Sequence, residues 1–244
     1  MGRMDGPDLT AGMSSGAAPG PSAASPSSDR RRADLAALRR SYEAGELLEG
    51  QVDPDPFVQF RRWFDDAVAA GLLEPNALVL ATADSDGAPS ARTVLLKGLD
   101  ERGFVLFTNH RSRKARQMRE NPRASLVFPW FEMDRQVVVV GDVEEVDRAE
   151  TEEYFRSRPH GSRLGAWASE QSTVIPGRAV LEERYAGLER KYPEGTDVPV
   201  PEHWGGFRVL PSAVELWQGR RSRLHDRLRY RREGDRWVLE RLAP

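Results

Sequence analysis

The chain has no cysteine among its 244 residues. That absence excludes disulfides, thiolate metal sites and cysteine nucleophiles. Histidine is scarce: His110, His160, His203 and His225 are far apart and show no metal-ligand spacing such as His-Glu-x-x-His. No metal site is expected. Charge of one sign is also missing. Thirty-six basic residues against thirty-eight acidic ones leave a formal net charge of -2, so the whole-molecule field gives no case for nucleic acid. No apolar run approaches the roughly 20 residues of a membrane span. No apolar signal core opens the chain, so a cytoplasmic location with no membrane association is expected. Gly-x-Gly-x-x-Gly after a strand and the Walker A pattern are both absent, which argues against the common dinucleotide and nucleotide folds.

What is present begins with a low-complexity stretch. Residues 11–28 are nearly all Ala, Gly, Pro or Ser. Such a composition buries too little apolar surface to offset its ordering entropy, and residues 1–30 are expected to form a disordered tail. Residues 31–244 then read as one domain, long enough for a sizeable core. A short charged helix is predicted over 34–49. Phe57, Phe60, Phe64 and Val68 recur at spacings of three and four and predict an amphipathic helix, with Gly71 as its stop. Strands are predicted over 77–83, 90–97, 104–108, 124–128, 136–146, 206–210, 214–217, 228–232 and 237–242. Helices are predicted over 112–120, 147–158 and 181–191. Strands follow one another through short turns without regular helix alternation. The expected fold is mainly β with flanking helices, an antiparallel sheet closed as a barrel.

Several clusters carry chemistry. In Arg223-Leu224-His225-Asp226-Arg227, an extended segment would send Arg223, His225 and Arg227 to one face. That trio suits a planar anionic ligand; a solvated basic strand edge is the plainer alternative. The surrounding stretch, residues 220–232, holds seven arginines, and a nucleic-acid patch is disfavoured by the interspersed Asp226. Arg92 and Lys97 bracket one predicted strand and, five apart, would face opposite ways. They would serve two anions, or lie along a core strand as two snorkelling charges. Thr108, Ser112, Arg113 and Lys114 gather at a predicted helix start, where free N–H groups and the helix dipole attract phosphate. Gln136 opens an apolar strand and offers an amide to a flat heterocycle or simply ends a sheet edge. Tyr154, Arg158 and Ser162 are four apart. On one continuous helix they would share a face and could clamp a phosphate, but Pro159 interrupts the spacing.

Taken in order, the chain resembles the pyridoxine/pyridoxamine 5'-phosphate oxidase family. The resemblance runs from about residue 34 to 244. It rests on Leu38-Arg-Arg-Ser-Tyr42, Arg92-Thr-Val-Leu-Leu-Lys97, Phe107-Thr-Asn109, Ser112-Arg-Lys114, Phe128-Pro-Trp130, Arg135-Gln136, Tyr154-Phe-Arg-Ser-Arg-Pro159 and Gly165-Ala-Trp167. Gln171-Ser172, His203-Trp-Gly-Gly-Phe-Arg208, Glu215-Leu-Trp-Gln-Gly219, Arg223–Arg227 and Arg241-Leu-Ala-Pro244 complete it. The resemblance implies an antiparallel split β-barrel of the FMN-binding type, working as a homodimer with FMN at the subunit interface. It implies oxidation of pyridoxamine 5'-phosphate or pyridoxine 5'-phosphate to pyridoxal 5'-phosphate by O2, with hydride passing from substrate C4' to flavin N5. Hydrogen peroxide is released, with ammonia from the amine.

Carried over residue by residue, the resemblance implies FMN contacts from Arg92, Thr93, Val94, Leu95, Leu96, Lys97, Phe107, Thr108, Arg113, Lys114, Gln136, Gln171, Ser172, Trp217 and Arg227. It implies substrate contacts from Lys97, Tyr154, Arg158 and Ser162 at the phosphate, and from Arg223, Leu224 and His225 at the ring. Arg223 and His225 are the implied catalytic pair. Arg39, Arg40, Ser41 and Tyr42 resemble a segment that covers the site. A different split-barrel flavoenzyme, and a flavin or pyridoxal-phosphate carrier without turnover, are the rival readings.

Overall fold

A computed structural model describes residue 42 and residues 45–244. The expected tail, the cover residues Arg39, Arg40 and Ser41, and most of the helix predicted over 34–49 lie outside the described residues. The described end of that helix is not α-helical: 45–48 are irregular and Glu49–Gln51 is a single 3-10 turn.

Helix α1, Pro56–Ala69, starts where Asp55 accepts a hydrogen bond from the Phe57 N–H and proline occupies the first turn. Its buried face carries Phe57, Phe60, Trp63 and Ala67. The chain turns at Gly71, as the sequence suggests. The remaining elements are β1 (Ala77–Ala83), β2 (Pro89–Leu95), β3 (Gly98–Leu99), β4 (Phe104–Asn109), α2 (Arg113–Glu120), β5 (Arg123–Trp130) and β6 (Arg135–Glu145). Then come α3 (Arg148–Ser157), α4 (His160–Ala168), α5 (Arg178–Lys191), β7 (Trp204–Gln218), β8 (Asp226–Glu233) and β9 (Arg236–Arg241). Among the described residues no helix is long and apolar enough to cross a membrane.

The nine strands among the described residues form one antiparallel sheet: seven run in the order β2-β1-β5-β6-β7-β4-β3, β8 pairs with β7, and β9 pairs with β8. Its axis is β7, which pairs with β6 along most of its length. The first part of β7 also pairs with β4, and its last part with β8. One strand thus serves two branches of the sheet, which curls into a split barrel around one core. Alternation fills that core: Leu78 and Leu80 from β1, Leu126 and Phe128 from β5, Val137 and Val139 from β6, and Val214 and Leu216 from β7 are all buried. Phe60 of α1 plugs it, 4.8 Å from Phe128 and 5.0 Å from Phe104 between ring centroids. A second, smaller core of Phe155, Leu164, Val198 and Trp204 lies where α3 and α4 meet the start of β7.

Four expectations need correction. The strands predicted over 206–210 and 214–217 are one strand, β7. Its Pro211 falls at a register shift between Val140 and Gly141, so the proline bends the strand instead of ending it. Gly141 is required there, because a Cβ would sit 2.0 Å from the Leu210 carbonyl oxygen. The strand predicted over 90–97 stops at Leu95. Lys97 lies beyond it, with its N–H bonded to the Val105 carbonyl, so strand alternation does not relate Arg92 to Lys97. The helix predicted over 147–158 ends at Ser157, and Pro159 caps a separate helix, α4. Finally, residues 223–227 are not one extended run. Arg221–Arg223 is a 3-10 turn, Ser222 and Arg223 have φ of 58° and 62°, and β8 begins only at Asp226.

Candidate active site

The start of β7, β4, α2 and the α3–α4 bend surround a cavity of about 540 Å3. Arg208 ties the start of β7 to α3 and β6. It is buried in β7 and pairs with Asp100 and with Glu150 of α3 at 3.0 Å, and with Glu144 of β6 at 3.4 Å. Lys114 lines the cavity, and Arg92 and Arg113 stand beside it. Ser112 caps α2 by accepting from the Ala115 N–H. Two residues on, Lys114 donates to Gln171 Oε1 at 2.8 Å and to Thr108 Oγ1 at 3.2 Å. The Arg113 N–H donates to Ser172 Oγ at 3.1 Å. Arg92 is held by Thr82 at 2.6 Å, by the Leu80 carbonyl at 3.2 Å, and by Ser90.

Among the described residues, none of Arg92, Arg113 and Lys114 forms an ion pair with a carboxylate. Burial, and then the charge of Arg92, pull the Lys114 ammonium down to about 8. Burial and the nearby Arg113 lower Arg92 in turn. Arg113 and Lys114 stand in the first turn of α2 with Arg92 beside them, and with no counter-ion among the described residues the group could hold an anion.

Lys97, Tyr154, Arg158 and Ser162 line the same cavity. The helix break at Pro159 does not separate them: α3 and α4 meet at a bend whose inner side faces the cavity. Tyr154 stacks on Phe107 with centroids 4.2 Å apart. Trp204 joins this stack, 5.5 Å from Phe107 and nearly parallel. Gly206 allows it, since a Cβ there would meet the Phe107 ring at 2.8 Å. The Arg158 guanidinium lies 4.7 Å from the centre of the Trp204 ring, and its Nη1 is buried with no hydrogen-bond partner. Burial lowers Arg158 and raises Tyr154. Here too, among the described residues, Lys97 and Arg158 make no ion pair. β2 is the sheet edge. Thr93, Val94 and Leu95 line the cavity, and among the described residues no strand pairs with the outer edge of β2.

The remaining expected residues lie elsewhere. Gln136 pairs with Trp217, and Trp217 packs 4.7 Å from His225 and 5.7 Å from Tyr42. Tyr42 and Leu224 line a separate cavity with Arg220, Arg221 and Ser222. The Arg220 N–H donates to His225 Nδ1 at 3.0 Å, so a neutral His225 carries its proton on Nε2. Arg227 is engaged by both oxygens of Glu215, at 2.8 and 3.1 Å, and by the Ala243 carbonyl. Leu96 packs against the core and lines neither cavity. Trp204 and Trp217 stand thirteen residues apart on β7, roughly 40 Å along an extended strand. The expected site is therefore split between two ends of this chain.

Two family profiles match the chain. Residues 64–190 match one described as pyridoxamine 5'-phosphate oxidase, and residues 204–244 match one described as the pyridoxine 5'-phosphate oxidase C-terminal dimerisation region. The chain belongs to the pyridoxine/pyridoxamine 5'-phosphate oxidase family. It is accordingly an oxidoreductase with the flavin-binding split-barrel fold, and its dimerisation region supports a homodimer. A pyridoxine/pyridoxamine 5'-phosphate oxidase of Frankia alni is 57% identical, covering 94% of this chain and 98% of its own length. One of Salinispora arenicola is 59% identical, over 85% of this chain and 95% of its own. Among solved structures, PhzG from Burkholderia lata, in complex with tetrahydrophenazine-1-carboxylic acid, superposes with a TM-score of 0.78 at 32% identity, covering 82% of this chain and 99% of its own.

Site assignment from the sequence passed over Trp204, which lines the cavity. Its signal was available: an aromatic residue directly before two glycines, the pairing that lets rings crowd a backbone.

Proposed function

We propose that this chain oxidises pyridoxamine 5'-phosphate or pyridoxine 5'-phosphate to pyridoxal 5'-phosphate, with FMN as cofactor and O2 as oxidant. The alcohol with O2 yields the aldehyde and H2O2; the amine also consumes water and releases ammonia. The observation that carries this reading is a cavity lined by Lys97, Lys114 and Arg158, with Arg92 and Arg113 beside Lys114, in which Lys114 with those two arginines forms one set of cations and Lys97 with Arg158 a second, none of them ion-paired among the described residues. Two phosphates, one of a cofactor and one of a substrate, account for both sets.

The residues fit FMN. Its phosphate would be held by Arg92, Arg113 and Lys114 with the Thr108 and Ser172 hydroxyls, and its heterocycle would lie along the β2 edge within reach of Gln171. Gln136, Trp217 and Arg227 would come from the partner chain, because in one chain they lie at the far end of β7. FMN held by these residues would supply the two-electron acceptor for the substrate and the route to O2. Lys97, Tyr154, Arg158 and Ser162 bind the substrate phosphate and set the depth of the ring. Arg223 lays a planar cation against the pyridine. His225, with Nδ1 occupied by the Arg220 N–H, donates from Nε2 and so orients the ring. Tyr42 and Leu224 shield this end from water.

The test uses purified protein reconstituted with FMN and given pyridoxamine 5'-phosphate in air. Pyridoxal 5'-phosphate and peroxide should appear in equal amounts. Bound flavin with neither product, from the amine or the alcohol, would overturn the proposal.

A further inference from the structure

We infer that Trp204 is a positioning residue: its indole holds the Arg158 guanidinium in the orientation that receives the substrate phosphate. The inference rests on the functional reading above and concerns a side chain outside the assigned phosphate clamp. Arg158 has no carboxylate among the described residues to orient it, and its Nη1 is buried without a hydrogen bond. What it does have is ring faces, Trp204 at 4.7 Å and Phe155 at 5.5 Å. An indole attracts a guanidinium more strongly than a phenyl ring does, and more so where water is excluded.

Trp204 is itself fixed. It is buried, it pairs with Asn109 across β4 and β7, its backbone N–H donates to the Pro201 carbonyl at 3.1 Å, and its ring lies parallel to Phe107 and Tyr154 within 6 Å. A rigid strand thus sets the indole, and the indole sets a flexible arginine at the end of α3. Preorganisation of this kind lowers the ordering cost of binding.

The test reads affinity first. Inorganic phosphate is titrated into the FMN-loaded protein, whose cofactor phosphate site is already filled, and binding is followed by calorimetry. Trp204→Leu, which keeps apolar bulk and loses the ring face, should weaken phosphate about tenfold. Trp204→Phe should recover most of that loss. In an Arg158→Met background both substitutions should change phosphate affinity by less than twofold. With pyridoxamine 5'-phosphate as substrate, KM should rise by about the same factor while kcat stays within twofold.

Equal losses in Trp204→Leu and Trp204→Phe, or the same loss with and without Arg158, would overturn the inference. So would unchanged phosphate affinity. If Trp204→Leu does not fold, Trp204→Phe decides alone: a two- to threefold loss that disappears with Arg158→Met supports the inference, and its persistence sinks it. A protein that binds phosphate in this Trp204-dependent way but turns over neither vitamer would refute the functional reading and leave the positioning role standing.

Discussion

Arg158→Ala is expected to lower kcat/KM for pyridoxamine 5'-phosphate about a thousandfold while FMN affinity stays within about threefold. The guanidinium is partly buried, has no counter-ion among the described residues, and keeps Nη1 unbonded inside the protein. A phosphate arriving there makes a desolvated, charge-assisted contact. Truncating one member of such a pair costs about 2–5 kcal/mol, and 1.4 kcal/mol is a factor of ten. Arg158→Lys should recover little, because an ammonium lacks the flat face that meets Trp204 and the fork that meets two phosphate oxygens. Steady-state kinetics beside a flavin titration separates the two sites. A loss under tenfold, or a parallel loss of flavin, would mean that the two cation groups do not serve different phosphates.

The second large effect lies at Lys114, which lines the same cavity, and carries a pH signature. Lys114→Ala should weaken FMN about two-hundredfold near neutral pH, as expected for removing a charge-assisted phosphate contact at roughly 3 kcal/mol. In the unmodified protein, Lys114 titrates at about 8 because of burial and Arg92, against 10.5 when free. A bound anion favours the ammonium, so above pH 8 binding must take up a proton. FMN affinity should be level from pH 7 to 8 and then fall by up to about tenfold per unit. Lys114→Arg should abolish that fall, and Lys114→Ala should lose it along with the affinity.

The flavin-free protein should change in the opposite direction. Between pH 8 and 10.5 the unfolded chain holds more protons at this lysine than the folded one. The stability of the flavin-free protein therefore rises across that window. A flavin affinity in the unmodified protein that stayed constant to pH 9.5 would place the phosphate elsewhere.

Much of this architecture was readable from residue patterns. The spacing of Phe57 and Phe60 marks α1, the cap residues Ser112 and Asp147 stand where α2 and α3 begin, and the unbroken run of β-branched valines from Val137 to Val140 marks β6. The failures share a cause: proline and left-handed backbone act through neighbours that a linear reading does not contain. Pro211 looks like the end of a strand until Gly141 is seen opposite it. Tyr154, Arg158 and Ser162 do share one cavity, though not because a helix continues; the bend at Pro159 turns both helices toward it. Arg223 and His225 were grouped by an alternation that Ser222 and Arg223 break. No periodicity could have joined Lys97 to Arg158, which are 61 positions apart. The family resemblance supplied that grouping, and the fold supplies its geometry.

The length of β7 has a genetic consequence. If each site of the dimer draws its phosphate end from one subunit and its ring end from the other, two different null alleles can cover for each other. A chain carrying Arg158→Ala and a chain carrying Arg223→Leu are each inactive as homodimers. A mixed dimer places both lesions in one site and leaves the other site intact. Random reassortment of equal amounts makes half of the dimers mixed, each with one sound site of two, so co-expression should restore about a quarter of normal activity. Two lesions at the same end of β7, such as Arg158→Ala with Lys97→Ala, should restore none.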